Sequence, residues 1–323
     1  MAKGFASWLI SLWLWLPQIG GATPDSPNDR DYRRDYRAVQ QWTAADGLPA
    51  ETVAGLAVDR DLQLWLATYD GIVRYQGFDF QHYNRSSDPA LPGNRLMDIQ
   101  AAPAKGVVAH FENGQLGHLS ESAYEPIGHA NARQFAIFDQ HVWFIDARSG
   151  ALWTWRSGEP PRLRTKLALS ALHVDAFSDR LLLGARDGGV LEVSGREGQI
   201  QELTVRGDGP VLGLATGPGN ELLILDARGA GLWDAATAAS GLTPIATWER
   251  LQTRTLQAAW TERGWLLANL ATNTGIGPHL LDRSGIRPLE VASATSIDAD
   301  RSPSRIHVLD DRGRHWINDG MNL

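Results

Sequence analysis

The chain has 323 residues, 43% of them hydrophobic and 21% charged, with a formal net charge of −7 and no cysteine. That is enough chain for one large all-β domain or two ordinary ones, and a composition this apolar excludes a disordered polymer. Acidic and basic residues interleave without a basic stripe, which argues against a nucleic-acid binder, and the lack of cysteine excludes a disulfide-stapled module and a lipid-anchored lipoprotein.

The N-terminus differs from the rest. MAKGFASWLISLWLWLPQIGGA carries one Lys, an apolar run from Phe5 to Leu16, a break at Pro17, and small residues at Gly20 and Ala22. That three-part pattern predicts a signal peptide over residues 1–22, cleaved after Ala22. The run is short for a bilayer crossing, so no stable membrane insertion is expected after cleavage. Residues 23–35 read as a flexible charged leader. A large exported chain held without disulfides suits a periplasm.

Next come strand patterns. TVAGLAVD, LQLWLAT, GIVRYQG and FDFQHYN are four short β-type runs within residues 52–84, with Asp70-Gly71 marking the turn between the second and third. The hairpin recurs. Counterparts turn at Gly114, Gly150, Gly188, Gly229, Gly275 and Gly313, at gaps of 43, 36, 38, 41, 46 and 38 residues. A period near forty with several short strands per unit predicts an all-β, seven-bladed β-propeller of four-stranded blades over residues 36–323. The seventh unit supplies only SATSIDAD, RIHVLDD and RHWIND. YRAVQQWT, residues 36–43, is the expected fourth strand, closing the ring and removing two open edges.

Residues 42–84 also resemble a known repeat. Trp42, Gly47-Leu48-Pro49, Leu56, Asp59, Leu64-Trp65, Thr68 and Gly71-Ile72 stand where the two-component-regulator propeller repeat has its signature, and Leu62 replaces a glycine it prefers. The second unit matches in part, through Leu91-Pro92-Gly93-Asn94. The resemblance implies the extracytoplasmic sensor part of a bacterial histidine kinase or diguanylate cyclase receptor. No membrane helix or output domain follows in the sequence, so the expectation is either a separate membrane kinase or cyclase as partner or a trimmed sensor.

Candidate site residues follow from the propeller geometry. If Leu56 and Val58 face neighbouring sheets, the same phase puts Ala136, Phe138 and Trp260 on the central channel, together with Asp98, His173, Asp175 and Asp298. Three carboxylates and one imidazole suit a divalent cation or a cationic ligand, although no resident cofactor is required and a hydrated channel lining is the plainer explanation. The loops joining blades, and the turns between second and third strands on the same rim, offer Tyr69, Arg95 and Arg133 as anchors for a small-molecule or glycan ligand. No Ser-His-Asp order or HExxH occurs at usable spacing. The expected function is a periplasmic ligand-sensing or interaction propeller without catalysis. A metal-assisted lyase or hydrolase working at the channel mouth is the alternative.

Overall fold

The computed structural model describes residues 44–318, except for residues 51–52, 78, 122, 129–130, 176–178, 195–197, 235–240, 248–256, 262–263, 273–274, 289–293, 300–305 and 311–314. For residues 294–318 it gives the strands and their pairing. The expected signal peptide, leader and closing strand all lie outside the described residues.

The architecture is all-β. Among the described residues, six four-stranded antiparallel sheets and one three-stranded sheet follow one another along the chain, each meandering in sequence order. The first consists of Val53–Val58, Leu64–Thr68, Gly71–Tyr75 and Phe80–Tyr83. The three-stranded sheet is the last, Ala294–Ala299, Ile306–Asp310 and His315–Asn318. Inner strands touch in chain order, and Val53–Val58 lies against both Leu96–Ala101 and Ala294–Ala299. This is the arrangement of a β-propeller.

The first sheet shows why these residues form it. Thr68 pairs with Gly71, so Tyr69 and Asp70 make the turn and Gly71 opens the next strand; the turn pair lies one position earlier than the expected Asp70-Gly71. Gly71 has φ of +123°, and a Cβ there would lie 2.6 Å from the Tyr83 carbonyl oxygen. Only glycine tolerates both the dihedral and the approach. The Thr68 hydroxyl donates to the Gly71 carbonyl at 2.7 Å and accepts from the Asp70 amide at 3.1 Å, fixing the turn.

The core lies between sheets. Ala57, Trp65, Ala67 and Ile72 of the first sheet pack on Leu96, Ile99, Val107 and Phe111 of the second. Leu56, Leu66 and Val73 form a separate cluster on the opposite face of the first sheet. Each fully buried aliphatic or aromatic side chain contributes about 1.5–3 kcal/mol. Both faces of a stacked sheet are therefore core, which corrects the expected channel phase. Ala136 and Phe138 do not line a channel; they pack with Leu172, Leu181 and Leu183 of the fourth sheet.

A second feature escapes the alternating pattern. Near the start of the inner strands of sheets one, two, four and seven the pairing register shifts, between Val53 and Gly55, Leu96 and Asp98, Leu169 and Ala171, and Ala294 and Ser296. In the third sheet the shift leaves Arg133 as the extra residue between Ala132 and Gln134. Such bulges sharpen the local twist and re-aim side chains.

Candidate functional site

Polar residues of the inner strands mostly tie one sheet to the next. The Gln134 side-chain amide accepts from the Leu172 amide at 3.0 Å and donates to the Leu172 carbonyl at 3.1 Å. Gln100 donates to the Phe135 carbonyl at 3.2 Å, and the Ser170 hydroxyl to the Val211 carbonyl at 2.7 Å. These bonds satisfy strand groups that would otherwise face the axis unpaired.

The predicted channel residues fall into this scheme. His173 places Nε2 3.1 Å from the Thr216 hydroxyl of the fifth sheet. Burial pushes its pKa down to about 4; the Asp175 charge pulls it back up and Arg180 adds to the depression. Asp175 is buried and bonds Arg180 Nε at 2.8 Å, while Arg180 Nη1 reaches Glu192 at 3.1 Å. Asp98 accepts from the Ile99 amide at 2.8 Å and lies beside Gly55, across the first and second sheets. The structure thus pairs His173 and Asp175 on the fourth sheet and leaves Asp98 on the second. Asp298 lies opposite His307 in the strand pairing of the last sheet. Among the described residues, no three His, Cys, Asp or Glu side chains gather as a metal site.

The rim residues do meet in part. The Arg95 guanidinium sits over the Tyr69 ring at 4.1 Å and pairs with Glu112 at 3.4 Å. Asn94 donates to Asp70 at 3.1 Å, which links the turn of the first sheet to the loop entering the second. Tyr69 keeps 42% of its surface exposed. This stacked pair is a preformed, solvent-facing anchor. Arg133 stands apart from it, in the bulge of the third inner strand.

Trp260 belongs to a different place. It pairs across its hairpin with Trp265, and the two rings meet edge to face at 4.6 Å. Together with Pro218, Glu221, Gly264, Asp282, Arg283 and Ser284 they line a cleft of about 570 Å³ between the fifth and sixth sheets. It opens on the edge opposite Tyr69, where first strands turn into second ones. Sequence reasoning placed Trp260 alone; Trp265, Glu221 and Arg283 were missed. The available signal was WTERGW, two tryptophans facing across a tight hairpin.

No protein-family model and no curated protein matches the sequence. Solved structures do. The extracellular domain of the hybrid two-component system BT3049 from B. thetaiotaomicron aligns at TM-score 0.51 and 17% identity, over 86% of this chain and 41% of that one. Virginiamycin B lyase from Staphylococcus aureus aligns at 0.56 and 13%, over 84% of this chain and 95% of the lyase. YCF48 bound to D1 peptide aligns at 0.57 and 13%, over 84% and 94%. The chain therefore spans about two fifths of the length of the two-component neighbour. At these identities the likeness is one of fold.

Proposed function

We propose that this chain is an exported, extracytoplasmic sensing or interaction propeller, seven blades closed by residues 36–43, that binds a ligand without transforming it. The closure is supported by the three-stranded last sheet and by the contact between the first and last inner strands. Export is supported by the tripartite start of the sequence and by the extracellular two-component domains that share the fold.

One observation carries the choice of binding over catalysis: how the inner-strand polar groups are spent. His173 is held neutral and bonded to Thr216, Asp175 is committed to Arg180, and Gln100, Gln134 and Ser170 bridge neighbouring sheets. A base with a pKa near 4 is poorly matched to proton transfer at neutral pH. Output would come from a separate membrane kinase or cyclase.

A second reading has its own support. Virginiamycin B lyase shares the fold, so a lyase or hydrolase working at the channel mouth is the competing class. Quinupristin, present in a structure of that lyase in inactive form, is a direct probe. Cell fractionation is expected to find the protein in the periplasm, and incubation is expected to leave quinupristin chromatographically unchanged. A cytoplasmic protein would overturn the sensing reading. A new product peak would favour the lyase.

A further inference from the structure

We infer that the third and fourth sheets, on the edge that carries Tyr69, form a docking surface for an anionic lipid membrane. Arg148, Lys166 and Arg186 would meet the headgroups, with Leu167 dipping between them. This goes beyond the sensing reading and shares only export with it.

The surface is assembled from three separate segments. Arg148 stands in the turn between His141–Asp146 and Leu152–Trp155, and Arg186 in the turn between Arg180–Ala185 and Gly189–Ser194. Lys166 and Leu167 lie in the link between Arg162–Thr165 and Leu169–Asp175. Backbone contacts hold these segments side by side. The Leu169 amide donates to the Gly150 carbonyl at 3.0 Å, and the Arg186 amide to the Ala168 carbonyl at 2.8 Å. A Cβ at Gly150 would lie 3.0 Å from the Ala168 Cα, so glycine lets the turn press on the link. The link itself is fixed. The Leu167 amide donates to the Thr165 hydroxyl at 3.2 Å, and the Leu167 carbonyl accepts from the Leu169 amide at 3.0 Å. Leu167 is thereby left 45% exposed.

Charge pairing sets this sector apart from its neighbours. On the same edge Arg95 pairs with Glu112 at 3.4 Å, Arg206 with Asp187 at 2.8 Å and Arg228 with Asp208 at 3.6 Å. Arg148 and Lys166 are exposed and Arg186 is half-buried, yet none of these three side chains has an acceptor among the described residues. Residues 131–175 and 179–194 all belong to the described part. The acids beside the two turns are already engaged: Asp146 is buried and accepts from the Ser149 amide at 2.7 Å, and Asp187 is held by Arg206. Three cations therefore stand uncompensated on a chain whose formal net charge is −7.

Magnitudes favour a lipid surface over a protein. A specific protein interface buries about 1,200–2,000 Å² around a core depleted of charged residues, whereas here one leucine stands among three cations. A membrane needs no matching shape. Each cation near an anionic leaflet contributes about fivefold in partitioning, so three give about a hundredfold, and the leucine adds its apolar area. At physiological salt the rest of the chain's negative charge is screened beyond about 8 Å, so the local patch decides the sign.

The test mixes the full mature chain with vesicles of phosphatidylcholine alone, or of phosphatidylcholine and phosphatidylglycerol at three to two, and sediments them. Co-sedimentation is expected with the anionic vesicles only, and about 0.5 M salt should release the protein. Changing Arg148→Gln, Lys166→Gln and Arg186→Gln together should weaken partitioning about a hundredfold, and Leu167→Ser alone about threefold. Arg60→Gln, an equal loss of one charge on the opposite edge, should leave binding unchanged. If the triple variant fails to fold, the single ones decide, each losing about fivefold. Equal binding to both vesicles, no binding to the anionic ones, or variants that bind like the wild type overturn the inference. So does retention on poly-L-glutamate without vesicle binding, which would assign the sector to an acidic protein. None of these outcomes touches the sensing reading, which falls on location or turnover instead.

Discussion

Asp59 is a single side chain that organises a whole turn. Its Oδ1 accepts from the amides of Asp61 and Gln63, both at 2.9 Å, and its Oδ2 from the buried Trp65 indole at 2.8 Å. Asp59 and Trp65 are thus partners, six residues apart, joining the first turn to the core. Asp59→Ala removes three acceptor contacts and strands one buried N–H, so it should cost about 2–4 kcal/mol in urea unfolding, while Asp61→Ala should cost little. An equal effect of the two would contradict this account. Leu62 in the same turn has φ of +59° and is 84% exposed. It buries little and sits where L-residues are strained, so glycine would suit the position better. Leu62→Gly should raise the urea midpoint, stabilising by up to ~1 kcal/mol after the added freedom of the unfolded chain is subtracted. A lower midpoint would show that the side chain packs after all.

At the scale of elements, the strands and the turn glycines other than Gly313, which lies outside the described residues, were legible because they obey local rules. The runs around Trp65 and Gly71 alternate, turn and repeat, and the structure has strands there. The direction of the inner-strand side chains was not legible. Ala136 and Phe138 alternate like channel residues, but their sheet is covered on both sides, and period two cannot tell two buried faces from one. The bulge at Arg133 adds one residue that no local pattern announces. The Trp260–Trp265 corner needed the neighbouring sheet's Gly217 to become a cleft, a contact between units some forty residues apart. The tie between the fourth and fifth sheets carries its own signature. Unfolded, His173 takes up a proton near its ordinary value of 6.5; folded, only near 4. Between those values the unfolded chain binds more protons, so this contribution is whole above about pH 6.5 and is lost as pH falls toward about 4. Urea midpoints at pH 7 and pH 5 should therefore differ more for the wild type than for His173→Gln. Identical differences would mean that the imidazole is not buried against Thr216.

For the whole molecule, the N-terminal pattern predicts that mass spectrometry of the periplasmic protein finds a mature chain starting at Thr23, and an intact chain in the inner membrane would contradict it. The proposed closure of the ring by residues 36–43 matters more, because it decides whether the last sheet keeps an open edge. Without a fourth strand the last sheet, ending in His315–Asn318, offers an open edge that invites association. The absence of cysteine makes the closure directly measurable. A cysteine at Val39 or Gln40, one on each face of the proposed closing strand, is combined with one at His315 or Ile317, which share a face and sample two registers. Neighbouring strands bring Cα atoms to about 4.5–5.5 Å, within reach of a disulfide. On mild oxidation at least one of the four combinations should form an intramolecular disulfide in the folded monomer, seen as a faster band on a non-reducing gel. A folded monomer in which none of the four cross-links would contradict the closed ring.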